Sequence, residues 1–140
     1  MQILHDCSKE LNKLNLKATP ARLAVLRLLE NSREPIDVSS IIRFLKKNKV
    51  KADPATVFRI VNLLTQKGVL KQVRFNEDKF RYEYGLKNEH HHLICQSCGE
   101  IEDMSDCPID SLKKEIHKKK KFIIKTHSLE FFGICKNCQS

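Results

Sequence analysis

Apolar positions recur at helical spacing three times in the first half of the chain. In TPARLAVLRLLENS, Leu23, Leu26 and Leu29, with Val25 and Leu28 beside them, give a wide apolar face. Thr19 supplies a capping oxygen, and Pro20 suits a first helical position, where its missing N–H is not needed. IDVSSIIRFLKKNKV repeats the pattern through Val38, Ile41, Ile42 and Leu45, with Asp37 as cap. DPATVFRIVNLLTQKG is the third helix: Asp53 caps it, Pro54 starts it and Gly68 ends it. Its inward stripe is Val57, Ile60, Val61 and Leu64. The earlier stretch MQILHDCSKELNKLNL is helix-like but broken by charge every few residues. The period then shortens: VLKQVRF and FRYEYG read as strands on either side of the turn residues NED.

From Leu86 the character changes. HLIC and EIEDM are short strand candidates around a CxxC turn. PIDSLKKEIHKKKK reads as a helix, with Pro108 at its start, Asp110 in its positive first turn and lysines in its last. FIIKTHSLEFFGIC is the longest strand candidate, rich in β-branched and aromatic residues. The expected fold class is α+β, with a winged-helix domain over 1–85 followed by a small α/β domain over 86–140. A β-α-β layer of that size leaves one sheet face uncovered. A second copy of the chain is the simplest cover, so a homodimer is expected.

Composition sharpens this. A chain of 140 residues holds one ordinary domain or two small ones, and 41% hydrophobic content allows a modest core. No run approaches the roughly 18 apolar residues of a membrane span, and the charged start is not a signal peptide. A cytoplasmic protein without membrane contact is expected. The net charge of +9 is uneven: residues 1–85 hold 17 Lys/Arg against 9 Asp/Glu, and residues 86–140 hold 9 against 8. The basic excess in the first part is the footprint of a polyanion partner, usually nucleic acid. On the third helix the side away from the apolar stripe carries Ala55, Arg59, Asn62 and Gln66, with Phe58 on the flank. Arg and Asn can read guanine and adenine edges in the major groove. Lys71, Arg74, Lys79 and Arg81 would stud the following hairpin with phosphate contacts. The competing reading is a solvated helix face on a lysine-rich protein; three helices and a basic hairpin together favour DNA binding.

The candidate metal chemistry is concentrated in EHHHLICQSCGE, residues 89–100, and in a closing CxxC. Two cysteines two residues apart present both thiolates of one turn to a tetrahedral zinc. Cys95, Cys98, Cys135 and Cys138 therefore read as a closed structural zinc site, with redox dithiols as the alternative; Cys7 and Cys107 stand outside it. In a strand, His90 and His92 point to one face and His91 to the other, dividing the run between two sites. His91 can face a site near His127, and mixed His and carboxylate ligands suit divalent iron, manganese or zinc. A zinc-dependent enzyme using the His run is the rival from another class, and a metal store the third reading. No Gly-rich phosphate loop, G-x-S-x-G motif or zinc-deaminase pattern is present.

LKATPARLAVL, ATVFRIVNLL with its following GVL, HHHLICQSCG, THSLEFFGIC and the final CxxC together resemble the ferric uptake regulator superfamily, in the family's order along nearly the whole chain. The resemblance implies a dimeric metal-dependent repressor: an N-terminal winged helix, a C-terminal dimerisation domain, and a corepressor metal (Fe2+, Zn2+ or Mn2+) favouring an A/T-rich palindromic operator in double-stranded DNA. It implies structural zinc on Cys95, Cys98, Cys135 and Cys138, a regulatory site of Glu83, His90, His92 and Asp103, and an additional site of Glu89, His91, Asp110 and His127. The DNA-facing set it implies is Lys17, Arg22, Thr56, Phe58, Arg59, Asn62 and Lys71. The chain departs from the family pattern at four places. Pro35, with Asp37 two residues on, stands where a hinge-metal His is usual; Glu89 replaces a His; Phe58 replaces a Tyr; and Tyr84 or Gly85 occupies the region of the zinc branch's sensor Cys. Iron, zinc, manganese and peroxide sensing all stay open.

Overall fold

Three helices follow the apolar stripes read from the sequence, and a shorter one precedes them. The computed structural model describes residues 6–85, 91–105 and 108–139. In α1, Cys7–Lys13, the Asp6 carboxylate accepts from the N–H groups of Ser8 and Lys9. In α2, Pro20–Asn31, Thr19 Oγ1 accepts from Arg22 N–H at 3.3 Å. In α4, Pro54–Gln66, Asp53 Oδ1 accepts from Thr56 N–H at 2.7 Å. Such caps satisfy backbone donors that a helix start leaves without partners. α3, Val38–Lys47, departs from expectation: Asp37 stands at the cap position but caps no N–H. Its carboxylate instead accepts from Ser40 Oγ at 2.6 Å and lies 3.9 Å from Lys79 Nζ. The Ser40 hydroxyl and Lys79 outweigh the burial that would raise its pKa, and hold it below the ordinary carboxylate value.

The chain forms two compact units, Met1–Leu86 and Lys87–Ser140. In the first, Leu11, Val25, Leu26, Leu29, Ile41, Val57, Val61 and Leu64 are fully buried. They bring the helices onto an antiparallel sheet of β1 (Ile36–Asp37), β2 (Leu70–Val73) and β3 (Arg81–Tyr84), in the order β1-β3-β2. Two glycines close this unit. Gly68, at φ 77°, lets the chain leave α4, and a Cβ on Gly85 would meet Gly68 O at 2.8 Å. Only glycine fits at 85.

The second unit holds β4 (His91–Cys95), β5 (Ile101–Met104), α5 (Asp110–Lys120) and β6 (Glu130–Gly133). The sheet order is β5-β4-β6, with β4 antiparallel to β5 and parallel to β6. Two expectations need correcting. Pro108 lies in the turn before α5, which begins at Asp110. The long strand expected from Phe122 onward is reduced to 130–133. The β6 ladder begins at the pair His92↔Glu130, and upstream of it no described strand lies alongside to accept the backbone bonds.

The described residues of the second unit form no buried apolar core. Among its described residues only His91, His92 and Cys95 are buried, and α5 buries none. Phe122, Ile123, Phe131, Phe132 and Ile134 are 39–67% exposed. So many exposed large apolar side chains in one small unit point to a surface that another molecule covers.

Candidate functional site

The four cysteines of the two CxxC pairs meet at one point. β4 delivers Cys95 at its end, and Gly99, at φ 79°, closes the turn that returns Cys98 to it. Gly99 N–H donates to Cys95 O at 2.9 Å. The parallel register Cys95↔Gly133 brings the chain after β6 alongside, and a second turn, with Cys138 N–H donating to Cys135 O, folds Cys138 in. All four sulfurs lie within 4.8 Å of one another, and none is in a disulfide. Ligands about 2.3 Å from a tetrahedral zinc stand about 3.8 Å apart; Cys98 Sγ and Cys135 Sγ are 3.8 Å apart. The residues present fit the ion.

The thiols are electrostatically unequal. N–H donors of Cys135 and Cys98 favour the Cys95 thiolate and bring its pKa down to about 6, the Cys135 donor lying 3.3 Å from its sulfur. The Ser97 side chain favours the Cys138 thiolate, but the Cys135 and Cys98 sulfurs prevail and push that thiol up to about 12. Four thiols this close, with one already acidic, form a site that sheds protons when a divalent metal enters.

The histidine run divides between partners. His91 Nε2 is 3.4 Å from His127 Nε2, with ring centroids 5.1 Å apart. Two imidazoles on one tetrahedral zinc would have nitrogens about 3.4 Å apart. His92 instead pairs across β4 and β5 with Asp103, its Nε2 3.7 Å from Oδ1. Glu83 is buried in β3 of the first unit. Asp110 is exposed at the start of α5 and does not join His91 and His127 in a ligand cluster; among the described residues the cysteines form the one group of three or more. Glu89, His90 and Cys107 lie outside the described residues.

On the first unit, α4 turns Val57, Ile60, Val61 and Leu64 inward and leaves Phe58 51% exposed beside exposed Arg59 and Asn62. Thr56 is half-buried, Lys17 and Lys71 are exposed, and Arg22 reaches from α2 to donate to Lys17 O at 3.1 Å. Among the hairpin cations Arg81 departs from its expected role as a phosphate contact. It is half-buried, bound to Glu77 Oε1 at 2.6 Å and to Pro35 O at 3.2 Å, because β1 pairs beside it. A cleft of about 700 Å³ opens between the start of α2, the α3–α4 turn and α4. Arg22, Lys49, Lys51 and Arg59 line it above Ile60 and Leu63. Lys49 and Lys51 have no role in the sequence reading, because they fall at the junction of the second and third helix candidates and outside both apolar stripes; the basic density just before Asp53 was the available signal.

Residues 13–132 match the model of the "Ferric uptake regulator family". The chain is similar to the ferric uptake regulation protein of Bacillus subtilis (strain 168), 33% identical over 134 residues that span 93% of this chain and 90% of that protein. In structure it is similar to the ferric uptake regulator Fur of Helicobacter pylori, a protein with three functional metal-binding sites. The TM-score is 0.81 at 25% identity, covering 100% of this chain and 98% of that one. It is likewise similar to the Vibrio cholerae ferric uptake regulator, with a TM-score of 0.80 at 30% identity over 93% of this chain and 100% of that one.

Proposed function

The chain belongs to the ferric uptake regulator family, and from that premise we propose that metal held by Glu83, His90, His92 and Asp103 promotes binding of its first unit to a palindromic operator. It is a metal-sensing, DNA-binding transcriptional repressor of metal homeostasis, in a family that acts as dimers, and not an enzyme. No described helix is long and apolar enough to cross a membrane. We assign residues 1–85 to DNA binding and 86–140 to dimerisation and metal binding. The exposed apolar side chains of β6 and its flanks, in a unit whose described residues bury little, support the second copy as their cover. A twofold dimer asks for a twofold operator.

Cys95, Cys98, Cys135 and Cys138 would hold zinc, which when bound supplies a closed cross-link with no open position. The regulatory ligands would take Fe2+, Zn2+ or Mn2+, since imidazole and carboxylate do not select sharply among them. The close approach of His91 and His127 supports a further site there, for which Glu89 and Asp110 are the remaining proposed ligands. Pro35 is fully buried and cannot ligate through a side chain, and the Asp37 carboxylate is already held by Ser40 and Lys79. Glu83 is then the one proposed ligand from the first unit, which favours a modest coupling between metal and DNA.

The observation that carries the DNA reading is the outward face of α4, where Phe58, Arg59 and Asn62 stand exposed opposite a buried stripe. Phe58 can meet a thymine methyl, and Arg59 can bond a guanine edge in two places. Arg59→Ala should then weaken operator binding by about 1–3 kcal/mol and leave binding to random DNA nearly unchanged. Lys71→Ala should lower both about equally and flatten the salt dependence. Equal losses on both DNAs for Arg59→Ala would remove its recognition role.

A further inference from the structure

The cleft beside α4 is lined by four cations, Arg22, Lys49, Lys51 and Arg59, and by no acidic side chain. We propose that Lys49 and Lys51, on the α3–α4 turn, form a second clamp on the DNA backbone, gripping phosphates that run past the start of α2. The inference rests on the DNA-binding reading of α4 and adds to it a contact that carries no sequence information.

The turn is a fixed platform. Lys49 adopts φ 57°, and the backbone is pinned to the end of α3 by Lys49 N–H to Lys46 O at 3.2 Å and Val50 N–H to Leu45 O at 2.9 Å. Val50 lines the cleft and packs against the core, while the lysines on either side of it are exposed. Neither lysine forms an ion pair among the described residues. Two cations raised on a hydrogen-bonded turn, with no carboxylate partner among the described residues, are positioned for an external polyanion. The cleft is also continuous with the proposed reading face, because Thr56 and Arg59 belong to both. A duplex whose bases meet Arg59 would carry its backbone past that cleft, and phosphate contacts of this kind set register and orientation.

The test is the salt dependence of binding by the full, zinc-loaded chain to operator and to random duplex. Wild type is compared with Lys49→Gln/Lys51→Gln, with Lys51→Gln alone, and with Lys46→Gln/Lys47→Gln, which removes two exposed charges from the end of α3 outside the cleft. Each lost phosphate contact should lower the log–log salt slope by about 0.9 per protomer. The cleft double variant should thus lose about twice what Lys51→Gln loses, equally on both DNAs, while the α3 variant keeps the wild-type slope. A wild-type slope in the cleft double variant, or an equal drop in the α3 variant, overturns the clamp. Absence of salt-dependent binding by wild type would instead overturn the DNA-binding reading itself. Thermal melting of each variant separates a lost contact from a lost fold.

Discussion

Cys98→Ser should leave the second unit unfolded and the protein monomeric. The described residues of that unit bury little: α5 contributes no buried residue, and the large apolar side chains around β6 stay exposed. The four-sulfur cluster joins the turn after β4 to the turn after β6, and 36 residues separate Cys98 from Cys135, so the loop it closes is long. Apparent binding energies of about 10–16 kcal/mol for structural zinc in small domains are as large as the whole stability of an ordinary domain, about 5–15 kcal/mol. Removing one thiolate opens the coordination shell and forfeits much of that energy. Size-exclusion chromatography and thermal melting check the outcome. A Cys98→Ser dimer that melts cooperatively at the wild-type temperature would remove the structural assignment.

Asp103→Ala should abolish the metal response while leaving a folded dimer with the DNA affinity of metal-free wild type. Asp103 is 44% exposed in its side chain and lies at the edge of the sheet, so its removal costs little packing. Its carboxylate stands 3.7 Å from His92 Nε2, one proposed ligand beside another. A metal shifts a conformational equilibrium only by its preference for one state. With a modest preference to begin with, a site that loses one of its four proposed ligands keeps too little of it to move the balance measurably. Operator titrations with and without divalent metal, structural zinc retained, decide this. A variant that still gains affinity like wild type would place the regulatory metal elsewhere.

Much of the first unit was legible because its signals are local. Thr19, Asp53 and the apolar stripe of α4 act within one or two turns of themselves, and their hydrogen bonds follow. The cysteine site was legible for the same reason: each half is a two-residue turn, and only the meeting of the halves needed the sheet. What was not legible depends on partners distant in sequence. Asp37 has a good cap sequence, yet Ser40 and Lys79 claim its carboxylate. Arg81 reads as a wing cation until β1 pairs next to it and offers the Pro35 carbonyl. Residues 122–129 have strand composition but no described neighbour to pair with. The cleft holding Lys49 and Lys51 exists only because α2 packs beside α4.

The most direct measurement is operator affinity of the full, zinc-loaded chain, titrated with Fe2+, Zn2+ and Mn2+ in turn and compared with the same protein stripped of regulatory metal. The account predicts that at least one metal raises the affinity. It also predicts measurable binding without one, and a total gain below about a thousandfold, or roughly 4 kcal/mol, because Glu83 is the one proposed ligand from the first unit. Operator binding that no divalent metal changes would contradict it.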